Sequence, residues 1–161
     1  MLYVESTLAN LSRLGLNFDA GDDEQTRLAL MAKSQLDEAE AVVIREALAR
    51  LAASKKDIDS FVESGYDMVH LESVVATLVS VRGGVQVVKL YRAAAVLLSF
   101  ERFVRSVIDR GVEKGNVQNI LETMADALIS LEYYLSETEL HGVAPPNILD
   151  IAEQSLSAKI S

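Results

Sequence analysis

Two histidines, His70 and His141, are the side chains of this 161-residue chain best suited to nucleophilic or acid–base chemistry near neutral pH. A phosphotransfer histidine must face solvent midway along a helix, with a cation nearby to bind the phosphoryl group. His70 lies near a predicted helix start, and Ser73 and Val74, three and four positions later, supply no cation. His141 precedes Gly142 at a predicted helix C-terminus, where the helix dipole favours a positive charge. Neither position suits a relay histidine.

The sequence contains no motif that indicates other kinds of chemistry. The carboxylate pairs lack the Glu-x-x-His partners of a di-iron bundle; they are Glu38/Glu40, Asp57/Asp59 and Glu137/Glu139. The absence of cysteine excludes disulfides, thiolate metal sites and a cysteine nucleophile. No P-loop, G-x-S-x-G or kinase signature occurs. We therefore expect no catalytic residue, no metal and no cofactor.

Composition favours a helical domain with a substantial core. Half of the residues are apolar, 24% are charged and the formal net charge is −9. This charge disfavours nucleic acid as a partner. The sequence contains no run of about 18 uncharged apolar residues, so it predicts no membrane insertion. The first residues lack the basic start of a signal peptide. The predicted location is the cytoplasm.

Helical periodicity of 3.6 residues runs between breakers, which are mainly edge glycines and the adjacent Pro145 and Pro146. No β-type alternation occurs, so the fold is predicted to be all-α, with short loops joining antiparallel neighbours. We predict one domain over 1–161, with a core bundle over about 35–139. Four helices are expected in that bundle, at about 35–64, 67–89, 91–110 and 116–139, with flanking helices at about 2–33 and 146–158.

Two serines suggest where helices begin. Ser34 and Asp37 form a capping-box pattern, which predicts a break at Ser34. A similar pattern from Ser54 to Asp57 leaves open whether the next helix is continuous. The most regular apolar stripe lies in the helix over 116–139, and one face of it must meet the core. The residues expected to be buried there include Val117, Leu121, Leu128 and Leu131.

Charge is unevenly distributed along the chain. The net charge is −7 over 1–81, +4 over 82–114 and −6 over 115–161. A solvated helix face is one interpretation of the basic segment. The other is a docking site for an acidic partner, marked by Arg82, Lys89, Arg92, Arg102 and Arg105.

Gly83 and Gly84 interrupt an otherwise apolar predicted helix. The pair costs about 2 kcal/mol relative to alanine in a helix interior. Close helix packing, a helix break, or space left for a partner would each account for it.

The segment around these glycines resembles histidine phosphotransfer (HPt) domains. Their second helix carries His-x-x-(Lys/Arg)-Gly, and Arg82-Gly83 matches the basic–glycine pair. The run Ala93–Glu101 is similar to their third helix. The position of the phosphorylated histidine is occupied by Val79, so the resemblance implies an HPt-like domain without phosphotransfer activity.

Longer strings resemble a narrower family. They cover 81–94 (VRGGVQVVKLYRAA), 125–135 (ADALISLEYYL) and 148–153 (ILDIAE). These are similar to the N-terminal region of the large hybrid histidine kinase of type IV pilus chemosensory systems (ChpA/PilL type) and to its FimL-like relatives, over roughly 34–158. The resemblance implies an HPt-like antiparallel four-helix bundle within a larger signalling protein that controls type IV pili and twitching motility.

A non-catalytic docking module is the function that this resemblance implies. Its partner would be a response-regulator receiver domain or a polar scaffold protein. Its location would be the cytoplasm, with the cell pole as the narrower alternative. The expected docking residues are Arg82, Gly83, Gln86 and Lys89, with Arg82 and Lys89 on one helix face two turns apart. Two alternatives are an active phosphotransfer domain that uses His70 and a structural unit that forms a homodimer.

Overall fold

The computed structural model of this chain describes residues 20–160. Within that range it contains helices and no strand, which confirms the all-α prediction. The long helices are α1 (Ala20–Glu63), α2 (Val69–Val87), α3 (Tyr91–Arg110) and α4 (Val117–His141). A 3₁₀ turn at Pro146–Leu149 leads into α5 (Asp150–Ile160), so the two prolines do precede the last helix. Most of the flanking helix predicted over 2–33 lies outside the described residues.

The break predicted at Ser34 is wrong, because α1 continues through it and through Ser54 as one helix of 44 residues. A serine cap contributes only about 1 kcal/mol. No glycine or proline occurs between Asp22 and Glu63, and the segment is rich in the strong helix formers Ala, Leu, Glu and Lys. Helix propensity therefore outweighs the local capping pattern.

The chain forms two compact units, residues 1–41 and residues 42–161. From the first, the structure describes the initial part of α1. The second contains the hydrophobic core, to which all five helices contribute. Whether the chain behaves as one domain over 1–161 stays a prediction.

The core is centred on fully buried leucines and phenylalanines, with Phe61 and Phe100 the largest among them. In α4, Leu128 and Leu131 are buried as predicted, and so are Met124 and Leu135. Val117 and Leu121 are only half-buried. Val117 is the first residue of α4, and Leu121 faces the rim between α1 and α4 rather than the interior.

Contacts between long side chains fix the directions of the helices. Arg45 Nε lies 2.9 Å from Glu139 Oε1, and Lys55 Nζ lies 2.7 Å from Glu132 Oε1. As the residue number increases along α1, the residue number of its partner in α4 decreases, so these two helices run antiparallel. Helices α2 and α3 are also antiparallel neighbours, and α5 packs against α3 and α4.

The turn between α1 and α2 sets the start of the helix that carries the candidate site. Gly65 and Tyr66 have φ values of 76° and 72°, and the Tyr66 N–H donates to the Phe61 carbonyl at 2.8 Å. Asp67 Oδ1 then accepts the Val69 N–H at 3.1 Å, which satisfies one of the free donors at the start of α2. This hydrogen bond fixes where α2 begins.

Candidate docking face on the second helix

One side of α2 is exposed and made of small, uncharged residues. We call it the α2 face; its residues are Ala76, Val79, Ser80, Gly83, Gln86 and Val87, all of them exposed. They recur at intervals of three and four, the spacing of one helix face. The opposite side of α2 enters the core with Leu71, Val74, Leu78, Val81 and Val85.

Val79 lies on the α2 face, at the position where the resembling domains carry their histidine. Its side chain is 39% exposed. The position therefore faces solvent, as a phosphorylated residue must, but an isopropyl group has no nucleophilic atom. The α2 face can make contacts and cannot accept a phosphoryl group at this position.

The two glycines lie inside α2, so they do not end the helix. A Cβ built on Gly83 meets no atom within 4 Å, whereas one on Gly84 comes within 3.5 Å of Val43 Cγ1, an ordinary van der Waals distance. Close helix packing therefore does not explain Gly83. Its missing side chain leaves open surface on the α2 face.

Arg82 turns away from solvent toward α3. Its Nε donates to Glu101 Oε2 at 2.5 Å, and its Nη2 lies 3.4 Å from Glu101 Oε1. Glu101 is 3% exposed, and its hydrogen bond and charge raise the pKa of the Arg82 guanidinium above the ordinary value. The charge of Arg82 is thus largely compensated within the protein, and the residue joins α2 to α3.

Arg82 and Lys89 were predicted to share one helix face. Lys89 does not lie on that face, because α2 ends at Val87. The Lys89 N–H donates to the Gln86 carbonyl and the Leu90 N–H to the Val85 carbonyl, at 3.0 and 2.9 Å. This pair of bonds is the Schellman motif, whose left-handed residue is usually glycine. Lys89 occupies it with φ of 65°. The expected two-turn pairing of Arg82 with Lys89 is therefore wrong, although Lys89 is exposed beside the end of the α2 face.

Arg92 is also used within the protein. Its guanidinium binds Glu153 Oε1 at 3.0 Å, the Pro146 carbonyl at 2.6 Å, and Asp150. The hydrogen bonds to Glu153 and then to Asp150 raise its pKa. Arg92 thus fastens the start of α3 to the 3₁₀ turn and to α5.

Arg102 and Arg105 are the remaining members of the predicted cationic set. Both are exposed on α3, and among residues 20–160 neither has an ion-pair partner. Arg105 lines a depression of about 220 Å³ with Glu72, Val75 and Asp109, between α2 and α3. The free positive charge of the segment 82–114 is therefore smaller than its formal charge.

The two histidines lie away from the α2 face. His70 is half-buried in the first turn of α2, nine residues before Val79. His141 ends α4, and its Nε2 is 3.6 Å from Glu137 Oε2. In the described part of the chain, no group of three or more His, Cys, Asp or Glu side chains could hold a metal ion. The helices within the same range include none long and apolar enough to cross a membrane.

Glu101, the residue that binds Arg82, is not among the functional residues predicted from the sequence. The signal was present, because Glu101 occupies the buried stripe formed by Ala94, Leu97 and Val104 at intervals of three and four. A lone carboxylate on such a stripe indicates a buried ion pair.

Comparisons with known proteins point to one family. The model of the family described as the FimL C-terminal domain matches residues 34–156. The chain is also 36% identical, over 167 aligned residues, to the protein named Scaffold protein FimL from Pseudomonas aeruginosa. That alignment covers 98% of this chain and 28% of the relative. Both findings name FimL and neither names the hybrid kinase. No solved structure matches.

Proposed function

This chain belongs to the FimL C-terminal domain family, and we propose that it is a non-catalytic docking module in signalling that controls type IV pili. The relative is named a scaffold protein, a description that fits docking without chemistry. The resemblance of residues 81–94 and 125–135 to pilus chemosensory proteins supports the pathway. The role as part of a kinase has no support in the comparisons, so the proposal treats the chain as a scaffold domain.

The α2 face is the proposed docking surface, and a receiver domain of a response regulator is the proposed partner. The observation that carries this is the open surface at Gly83: no atom lies within 4 Å of a Cβ built there. A glycine that packing does not need, in a helix where it costs about 1 kcal/mol, supports a role in contact with a partner. Gln86 on the same face can donate and accept hydrogen bonds, and Lys89 adds a free positive charge beside it.

Electrostatic attraction in this proposal comes from Lys89, Arg102 and Arg105 rather than from Arg82. Receiver domains present a cluster of carboxylates, and exposed cations attract such a partner from a distance. Salt screens attraction of this kind, with a Debye length of about 8 Å at physiological ionic strength. Binding is therefore expected to weaken as salt is raised.

The test is a calorimetric titration of this protein with receiver domains of the pilus response regulators. We expect Gly83→Leu to weaken binding at least about tenfold, or 1.4 kcal/mol, because the side chain would occupy the contact surface. Ala49→Leu is the matched control, since Ala49 is an exposed small residue on α1. Equal affinity of Gly83→Leu and the unsubstituted protein, or no receiver binding by either, would overturn the proposal.

The proposed absence of phosphotransfer activity is tested separately, by incubating the protein with a phosphorylated receiver domain or with the cognate kinase and labelled ATP. Because Val79 replaces the histidine, no acid-labile, base-stable label is expected on this chain. Label that disappears in His70→Gln would show instead an active phosphotransfer domain.

A further inference from the structure

A second surface lies between α1 and α4, away from the α2 face. It is a groove of about 430 Å³. We call it the α1/α4 groove; its apolar lining consists of Ile58, Val62, Leu121, Ala125, Leu128 and Ile129. Its floor is Leu128, which is buried, whereas Val62 and Ile129 on its walls are exposed to 41% and 61%.

The exposed apolar surface continues along α4 beyond the groove. Tyr133 lies one turn after Ile129 on the same side and is also exposed. From Leu121 to Tyr133 the helix rises about 18 Å at 1.5 Å per residue. That length matches about three turns of a helix laid along α4.

The charges around the groove are asymmetric. At one end Lys55 lines the groove, but its Nζ is already 2.7 Å from Glu132 Oε1. Toward the other end, Asp59 lines the groove, and Glu63 follows one turn later. Neither Asp59 nor Glu63 has an ion-pair partner in the part of the chain that the structure describes.

Two further features add negative potential at this acidic end. Glu122, next to Leu121, is exposed and accepts a hydrogen bond from Gln118 at 3.2 Å, which leaves its charge in place. The last turn of α1 contains no basic residue. No positive side chain in this turn therefore compensates the negative end of the helix dipole.

From the apolar lining and the acidic end, we propose that the α1/α4 groove binds an amphipathic helix of a partner protein. The bound helix presents apolar side chains at i, i+3 or i+4 and i+7 to the groove. It carries Lys or Arg at the end that lies beside Asp59, Glu63 and Glu122. A second copy of this chain docked groove to groove in the parallel direction would bring these same carboxylates together. In the antiparallel direction they would meet the end where Lys55 is already paired with Glu132, so charge favours a basic partner over self-association.

This proposal is independent of the α2 face and is tested without knowing the natural partner. A displayed library of helical peptides of about 18 residues, or five turns, is selected on the unsubstituted protein. We expect enriched peptides to combine the apolar spacing with Lys or Arg at one end. Two substituted proteins are then titrated with the selected peptides: Ile129→Lys in the groove, and Ile151→Lys on α5 as the matched control. The two isoleucines are 61% and 62% exposed, so both variants are expected to fold.

Ile129→Lys should weaken peptide binding at least tenfold, and Ile151→Lys should leave it unchanged. The double variant Asp59→Asn/Glu122→Gln should bind less tightly, with a smaller dependence on salt. Equal binding by both lysine variants would overturn the proposal, as would selected peptides without basic residues or the absence of any enriched helix. Dimers in sedimentation equilibrium that dissociate in Ile129→Lys would show a second copy to be the occupant instead. Receiver binding at the α2 face should be the same in Ile129→Lys, which separates this test from that of the proposed function.

Discussion

The α2 face and the α1/α4 groove are two exposed surfaces that the sequence encodes in opposite ways. The α2 face is shaped by what is missing, because Gly83 has no side chain and Val79 has no nucleophile. The groove is shaped by large apolar side chains that the core does not fully cover, such as Ile129 and Val62. The first departs from an ordinary helix pattern and is conspicuous in the sequence. The second continues the core stripe and is visible only once α1 and α4 are placed side by side.

The charges of the two surfaces differ for a related reason. The segment 82–114 has a net charge of +4, yet Arg82 and Arg92 are bound to carboxylates of the same protein. The groove takes its negative end from Asp59, Glu63 and Glu122, which lie on two helices far apart in sequence. Surface charge thus depends on which charged residues pair with one another in the fold. The net charge of a sequence segment overstates the positive charge near the α2 face, and it hides the negative charge at the end of the groove.

The largest expected effect is the difference in unfolding free energy between a substitution at the floor of the α1/α4 groove and one at its wall. Leu128→Ala should lower the free energy of unfolding by about 2–5 kcal/mol, because it empties a buried site that α1 and α4 share. The neighbouring Ile129→Ala should cost less than about 1 kcal/mol, since most of that side chain is already in water. Urea denaturation of the two variants measures the contrast. Similar losses would mean that Ile129 is a core residue and that the groove does not open to solvent.

The next effect tests whether Arg82 serves the fold more than the α2 face. Arg82→Met leaves Glu101 buried without its partner and should cost about 2–3 kcal/mol. That is below the cost of a fully buried pair, because water reaches part of the Arg82 side chain. The double variant Arg82→Met/Glu101→Leu should recover most of the loss, since removing both charges leaves none unpaired. Denaturation of the single and double variants provides the measurement, and a double variant no more stable than Arg82→Met would contradict the buried-pair account.

These two predictions show which features of this protein can be predicted from its sequence and which cannot. Periodicity locates α2, α3 and α4 to within a few residues, and it identifies Leu128 and Leu131 as core because their spacing is purely local information. The capping pattern at Ser34 gives a wrong prediction, because this weak signal is outweighed by the helix propensity of a long segment. Periodicity also misses Glu101, because the partner of Arg82 is 19 residues away and only the packing of α2 on α3 brings the two together.

A smaller effect, of opposite sign, examines the open surface at Gly83. Gly83→Ala should raise the free energy of unfolding by up to about 1 kcal/mol, because alanine gains helix propensity and its methyl group meets no neighbour. Gly115→Ala is the control, since its Cβ also meets nothing while the residue lies between helices. Thermal melts compare the two variants. A destabilised Gly83→Ala would mean that the surface over Gly83 is covered, and the α2 face would lose its main feature.

The smallest effect concerns Lys89, where stability and docking should respond in opposite directions. A lysine at φ of 65° gives up about 1 kcal/mol relative to glycine, so Lys89→Gly should stabilise the protein by about 0.5–1 kcal/mol. Lys89→Ala keeps a side chain in the left-handed region and should gain nothing, which makes it the matched control. If the lysine is retained for its charge beside the α2 face, both variants should bind a receiver domain more weakly than the unsubstituted protein. The difference should shrink as salt is added, because the lost attraction is the screened part of the interaction. Unchanged association rates for both variants at low salt would remove Lys89 from the docking surface and leave its strained backbone without a functional reason.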